Sequence, residues 1–160
     1  MMGVGKSTVG RALASELGRP IFDSDEMIEE RTGRTVREIW ITDGEAAFRA
    51  LETEVLLDAL ASPEPSVIAA AGGVVLSEAN RLALRGPDAH VVWLCCEVDV
   101  LVDRVRSGGH RPLLDEDPEA ALRRLHDVRA PLYQEVADAI VSVDNRSVGD
   151  VTRAVLRCCG

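Results

Sequence analysis

The chain reads as a three-layer α/β domain, a parallel sheet flanked by helices. Strand-like and helical segments alternate along nearly its whole length, which is the mark of repeated βα units. Residues 66–70 and 90–94 are short apolar runs of the kind that lie buried in a parallel sheet. Aromatic residues form only 3% of a chain that is 46% hydrophobic. The core is therefore built from Ala, Val, Leu and Ile, which suits a Val-rich parallel sheet better than an aromatic-rich sandwich. At 160 residues the chain is the size of one domain, spanning 1–160.

Taken in order, Lys6 to Leu17 carries a helical apolar pattern and stops at Gly18, a C′ residue. Residues 20–22 are extended and lead into acidic Asp23-Ser24-Asp25. Thr35 with Glu38, and Thr42 with Glu45, have capping-box spacing. The second box is expected to open a long amphipathic helix with Ala47, Leu51 and Val55 on one side. The strand at 66–70 ends at Gly72-Gly73, and Ser77 caps a helix through Leu84. A buried strand at 90–94 precedes a helix from Glu97 to about Arg106 and a polar loop at 107–112. Pro118, at the tolerated N1 position, opens a helix towards Arg129. A last strand covers 139–143, and Ser147 with Asp150 starts the final helix. In such a sheet, ligands lie at the carboxyl ends of the strands.

The formal net charge of −9 argues against a nucleic-acid binder, which needs a basic footprint. It leaves room for anionic small ligands held in a local basic pocket. No apolar run is long enough to cross a bilayer, so no membrane partner is expected. The cysteines form two adjacent pairs, Cys95-Cys96 and Cys158-Cys159, without the spacing of a zinc site. They read as free thiols in a reducing, cytoplasmic setting.

The strongest motif is Gly3-Val4-Gly5-Lys6-Ser7-Thr8. It matches the end of a P-loop, GxxxxGK[ST], in which backbone N–H groups curl around nucleotide phosphates. Lys6 is placed to reach the β- and γ-phosphates and Ser7 to ligate Mg²⁺, while the following helix adds its positive end. The first glycine of the motif falls one position before Met1 and the strand that feeds the loop is missing, so the working protein is expected to be longer than the sequence given.

On the substrate side, Asp23 and Asp25 suit separate tasks, one towards the metal shell and one towards a hydroxyl. They read equally as an acidic N-terminal cluster for a helix at 26–32. Arg49 and Glu52 share a helical face, which by itself is the spacing of a surface ion pair. Arg111 lies in a Gly-rich loop and Arg129 precedes Ala-Pro-Leu-Tyr. Convergence of the three arginines would imply a substrate carboxylate and a phosphoryl group in flight, and spacing alone does not bring them together.

Six stretches occur in family order across nearly the whole chain: Gly3-Val4-Gly5-Lys6-Ser7, Phe22-Asp23-Ser24-Asp25, Gly44-Glu45-x-x-Phe48-Arg49, Ala71-Gly72-Gly73-Val74-Val75, Arg111-Pro112-Leu113-Leu114 and Arg129-Ala130-Pro131-Leu132-Tyr133. Together they resemble the shikimate kinase family. The resemblance implies a P-loop NTPase fold of nucleoside-monophosphate-kinase type, with five parallel strands, a substrate-binding region at about 25–60 and a lid at about 107–118. It implies ATP and shikimate as substrates, Mg²⁺ as cofactor and a monomer. By position, Gly3, Val4, Gly5, Lys6, Ser7 and Thr8 would hold the phosphates, with Ser7 and Asp23 serving the metal. Asp25 would bind shikimate and help accept the proton of its 3-hydroxyl. Arg49 and Arg129 would clamp the substrate carboxylate, Glu52 would orient Arg49, and Gly72 and Gly73 would bring amides near the substrate. Arg111 would stabilise the transferring phosphoryl group, Arg106 would stack on adenine, and the loop around Asn145 and Ser147 would close over the base.

Two departures stand out. The family usually carries three glycines where this chain has Ala71-Gly72-Gly73, so the added methyl either crowds the substrate or packs inward. The lid between Arg106 and Arg111 is also short. Two other readings stay open: a kinase for another polyol acid or cyclitol such as gluconate, or a catalytically silent nucleotide-binding module. Gluconate kinases share the P-loop but not the Phe-Arg and Arg-x-Pro-Leu-Tyr elements.

Overall fold

The computed structural model describes residues 3–106 and 118–159. The expected alternation is present: α1 (Lys6–Leu17), β1 (Ile21–Asp23), α2 (Ser24–Thr32), α3 (Val36–Leu60), β2 (Val67–Ala69), a 3₁₀ turn (Val74–Leu76), α4 (Glu78–Leu84), β3 (Val92–Cys95), α5 (Val98–Arg106), α6 (Pro118–Val136), β4 (Ala139–Ser142) and α7 (Val148–Cys158). The expected lid residues 107–117, including Arg111, lie outside the described residues.

The strands form two parallel pairs. In one, Ile21, Phe22 and Asp23 lie opposite Val67, Ile68 and Ala69. In the other, Val92 to Cys95 lie opposite Ala139 to Ser142. Among the described residues no ladder joins β2 to β3. Helix α1 packs on α7, β1 and β2, while α5 packs on α6 and α7 on β4. The main core gathers Val9, Leu56, Val75, Leu101, Leu122, Val141 and Val155 from both pairs. A smaller apolar cluster, Ile28, Ile39, Phe48 and Val55, ties α2 to α3.

Local chemistry sets the boundaries. The Thr35 box is complete, since Glu38 N–H donates to Thr35 Oγ1 (3.2 Å) and Thr35 N–H donates to Glu38 Oε2 (2.8 Å). The second box expected at Thr42 gives way to other pairings. Thr42 Oγ1 donates to the Glu38 carbonyl (2.7 Å), and Glu45 accepts from Arg49. Thr35 therefore caps the first helical segment of α3, and a second segment meets it at Gly44, where φ 84° and ψ 174° make a break that only glycine tolerates comfortably. Ser77 caps α4 and Ser147 forms a full box with Asp150.

Strand β3 starts later than the apolar run, because the ends of Val91 are already taken. Its N–H donates to Asp138 Oδ2 (2.8 Å), and its carbonyl accepts from the N–H groups of Asp138 (2.8 Å) and Ala139 (3.2 Å). Helix α6 does not stop near Arg129 but continues through Pro131 to Val136. No helix among the described residues is long and apolar enough to cross a membrane.

Candidate active site

Three loops at the ends of α1, β1 and β2 build the site. The first enters α1. Val4 is sunk in the main core at 3% exposure, which anchors the loop beneath its glycines. Gly5, the N-cap, adopts φ 87° and ψ 27°, and its carbonyl accepts the first helical bond from Val9 N–H (2.9 Å). This left-handed turn lets the backbone curl tightly before the helix begins. No acidic residue occupies the first turn of α1, so the positive helix end is not countered there. Lys6 and Ser7 are half-buried and Thr8 is exposed on that turn.

The second loop leaves β1. Asp23 is buried, and its Oδ1 accepts from Asp25 N–H (3.1 Å), capping α2. Its Oδ2 is buried without a hydrogen-bond partner. A buried carboxylate oxygen in that state is a poor fit for a purely structural cap and a good one for a cation or its bound water. The capping and ligand readings of Asp23 thus hold at once, one oxygen for each. Ser24 Oγ accepts from Ala71 N–H (3.1 Å), which locks this loop to the one after β2. Asp25 lies exposed on the first turn of α2.

The third loop follows β2. Ala71 packs against the main core, so the methyl that replaces the expected glycine points into the protein interior. Gly72 offers its carbonyl to the Tyr133 hydroxyl (2.7 Å). Gly73 lies beneath the Arg49 guanidinium: a methyl group on it would overlap Arg49 and stand 2.7 Å from Glu52 Oε2. The lack of a side chain at Gly73 is what admits this ion pair.

Arg49 and Glu52 are far from the surface pair their spacing suggests. Arg49 Nη1 donates to Glu52 Oε2 at 2.5 Å, with the Glu52 side chain 3% exposed. Arg49 Nη2 reaches Glu45 Oε1 at 3.1 Å. Its guanidinium stands 5.4 Å from the Trp40 ring and 5.5 Å from the Phe48 ring, which meet edge to face. Burial pushes the Glu52 carboxyl above the usual range, with Asp25 adding to the rise, while Arg49 and Arg129 pull the other way. Asp25, Arg49, Glu52 and Arg129 therefore share one electrostatic neighbourhood.

Arg129 is 4% exposed, and its Nε is buried without a partner. Beside it, Tyr133 stacks on Trp93 at 5.5 Å. Burial raises the Tyr133 phenol, and Arg129 opposes that rise. A cavity of about 250 Å³ is lined by Arg49, Glu52, Gly73 and Asn80.

The remaining expected residues divide. Arg106 ends α5, with its side chain, like Arg111, outside the described residues. Asn145 sits in an exposed loop with φ 52°. The Ser147 hydroxyl is engaged with Asp150 Oδ2 (2.6 Å) as the cap of α7. Sequence reasoning gave no role to Tyr133 or Ser24. Tyr133 had a signal, since its spacing from Arg129 puts both on one helical face. Ser24 had none, because its partner lies 47 residues away.

A protein-family model described as shikimate kinase matches residues 2–159. Among curated relatives, the shikimate kinase of Alteromonas mediterranea is 45% identical over 158 residues, covering 97% of this chain and 90% of that protein. That of Streptomyces coelicolor is 44% identical over 155 residues, covering 97% and 89%. Among solved structures, shikimate kinase from Acinetobacter baumannii in complex with shikimate superposes with a TM-score of 0.92 at 38% identity, covering 99% of this chain and 88% of that one. The enzyme from Aquifex aeolicus gives 0.81 at 30% identity, covering 99% and 91%.

Proposed function

Because the chain belongs to the shikimate kinase family, we propose that it transfers the γ-phosphoryl group of ATP to the 3-hydroxyl of shikimate through the three-loop site. The observation that carries this reading is the pair of half-buried Arg49 and buried Glu52 seated on Gly73, with buried Arg129 in the same field. Arg49 and Arg129, the latter with a buried Nε that has no hydrogen-bond partner, offer planar N–H donors that suit the carboxylate of an anionic substrate. Glu52 fixes the direction of Arg49, and Trp40 and Phe48 limit its swing.

The nucleotide phosphates belong on the Gly3–Ser7 turn, with the open helix end of α1 and Lys6 neutralising their charge. Ser7 and Asp23 are the residues suited to Mg²⁺, and the bare buried Oδ2 of Asp23 fits that demand. Bound there, Mg²⁺ would supply charge neutralisation on the phosphate oxygens. Asp25, exposed at the start of α2, orients the substrate hydroxyl and takes up its proton. The hydroxyl oxygen then forms the new bond to the γ-phosphorus as the bond to the ADP oxygen breaks. Arg111 would stabilise the group in transit, Arg106 would stack on the adenine, and the Asn145–Ser147 loop would close over the base, all three by family position. The same reading takes the protein as a cytoplasmic monomer, on its family resemblance and cysteine usage.

The test is substrate-specific kinetics. Arg49→Ala is expected to raise KM for shikimate by at least about tenfold, the scale of one lost charge-assisted contact, while KM for ATP stays near its original value. Equal losses for both substrates would remove the clamp from the mechanism.

A further inference from the structure

Asn80 of α4 is buried, at 1% exposure, and reaches two of the elements that carry the site. Its Nδ2 donates to Thr53 Oγ1 (3.0 Å) and to the Val74 carbonyl (3.0 Å). Thr53 follows Glu52 on α3, and Val74 follows Gly73 after β2. A carbonyl can only accept, so it is the amide nitrogen of Asn80 that faces Val74. Asn80 Oδ1 is then left buried without a hydrogen-bond partner among the described residues. A leucine of similar size would fill the place without a bare acceptor, so the asparagine is accounted for by its two donors.

Those donors span the seat of Arg49. Thr53, Val74 and Asn80 line the same cavity of about 250 Å³ as Arg49, Glu52 and Gly73. A methyl group on Gly73 would already overlap the guanidinium, so even a small drift between α3 and this loop changes how Arg49 sits. Arg81, the next residue of α4, holds the loop separately. Its Nη1 donates to the Val75 carbonyl (2.8 Å), and its Nε stands 3.1 Å from Glu135 Oε2 on α6. The loop therefore keeps an anchor without Asn80, and what Asn80 adds is the register of α3 on it.

We propose that Asn80 is a positioning residue: through Thr53 and Val74 it fixes α3 on the loop after β2, and so aims Arg49 at a substrate carboxylate. The inference takes its ligand from the proposed shikimate activity, and its mechanism from the hydrogen bonds of Asn80. No bond made or broken in phosphoryl transfer involves Asn80 itself.

The test combines kinetics with a signal that needs no substrate. Asn80→Leu is expected to raise KM for shikimate about fivefold or more, the scale of two lost hydrogen bonds, with kcat and KM for ATP little changed. Added to Arg49→Ala, it is expected to raise KM no further, because the two residues act through one contact. In the ligand-free chain, Arg49 Nε–H, which donates to Glu45 Oε1 (3.3 Å), is expected to move in the ¹H–¹⁵N spectrum of Asn80→Leu. Thr53→Val is the milder variant should Asn80→Leu fold poorly. It is expected to raise KM for shikimate about two- to threefold, and Thr53→Ser, which keeps the hydroxyl, to restore it. An unchanged shikimate KM in Asn80→Leu or Thr53→Val, equal rises for both substrates, or losses that multiply fully with Arg49→Ala would each overturn the proposal. If the original chain shows no shikimate-dependent ADP release, the substrate reading fails by itself. The Arg49 signal then decides for Asn80, and a signal that Asn80→Leu leaves in place overturns its positioning role.

Discussion

Gly73 shows how a single residue can decide a charged site. A methyl group there would collide with the Arg49 guanidinium and press on Glu52, so the pair would have to leave its buried seat. We expect Gly73→Ala to raise KM for shikimate by about tenfold or more with KM for ATP little changed. Ala71→Gly, whose methyl packs into the core, is expected to leave both KM values alone. Steady-state kinetics on the two variants checks this, and a Gly73→Ala enzyme with normal shikimate KM would contradict the seating. Glu52 supplies a pH signature at the same scale. Burial raises its folded-state pKa above the usual 4.5, so between 4.5 and that raised value the folded state binds more protons than the unfolded one. Stability contributed by this group is complete below 4.5 and is lost as pH rises through the folded value. Urea melts of the original chain and Glu52→Gln across that window are expected to show this fall only in the former.

At the scale of elements, helix α3 carries the Arg49–Glu52 pair, and its two halves meet at Gly44. The backbone there lies in a region nearly closed to other residues, so Gly44→Ala is expected to lower stability by about 1–3 kcal/mol, read from urea unfolding. An unchanged midpoint would mean the kink relaxes without strain. The same helix shows where sequence reading failed. Thr42 and Glu45 have the spacing of a capping box, but Gly44 bends the chain between them and Arg49 claims the Glu45 carboxylate. A box is a local pattern, and the competing partner here came from the next turn. The end of α6 failed differently. Pro131 removes one N–H, yet the buried face that includes Tyr133 and Val136 keeps the helix going, because packing overrides propensity.

For the whole molecule, composition and alternation were enough to fix the α/β class, and the order of the motifs was enough to indicate the family. Geometry was not legible in the same way. The spacing of Arg49 and Glu52 is that of a trivial surface pair, and only the packing of α3 against the loop after β2 buries the Glu52 carboxylate beneath Arg49. Ser24 and Tyr133 were silent or nearly so, since each acts through a backbone atom distant in sequence. The lack of a ladder between β2 and β3 among the described residues is likewise a property of pairing between segments. The net charge of −9 shows in another form, as a chain rich in carboxylates that nonetheless gathers Arg49 and Arg129 about one buried glutamate.

The most direct measurement is ADP release by the purified chain with Mg²⁺ and ATP, with shikimate present or absent and with gluconate as comparison. Release that depends on shikimate and does not respond to gluconate is the predicted result. A well-folded chain that releases ADP equally with either compound, or with neither, would contradict the assignment of Arg49, Glu52, Gly73 and Arg129 to the shikimate carboxylate.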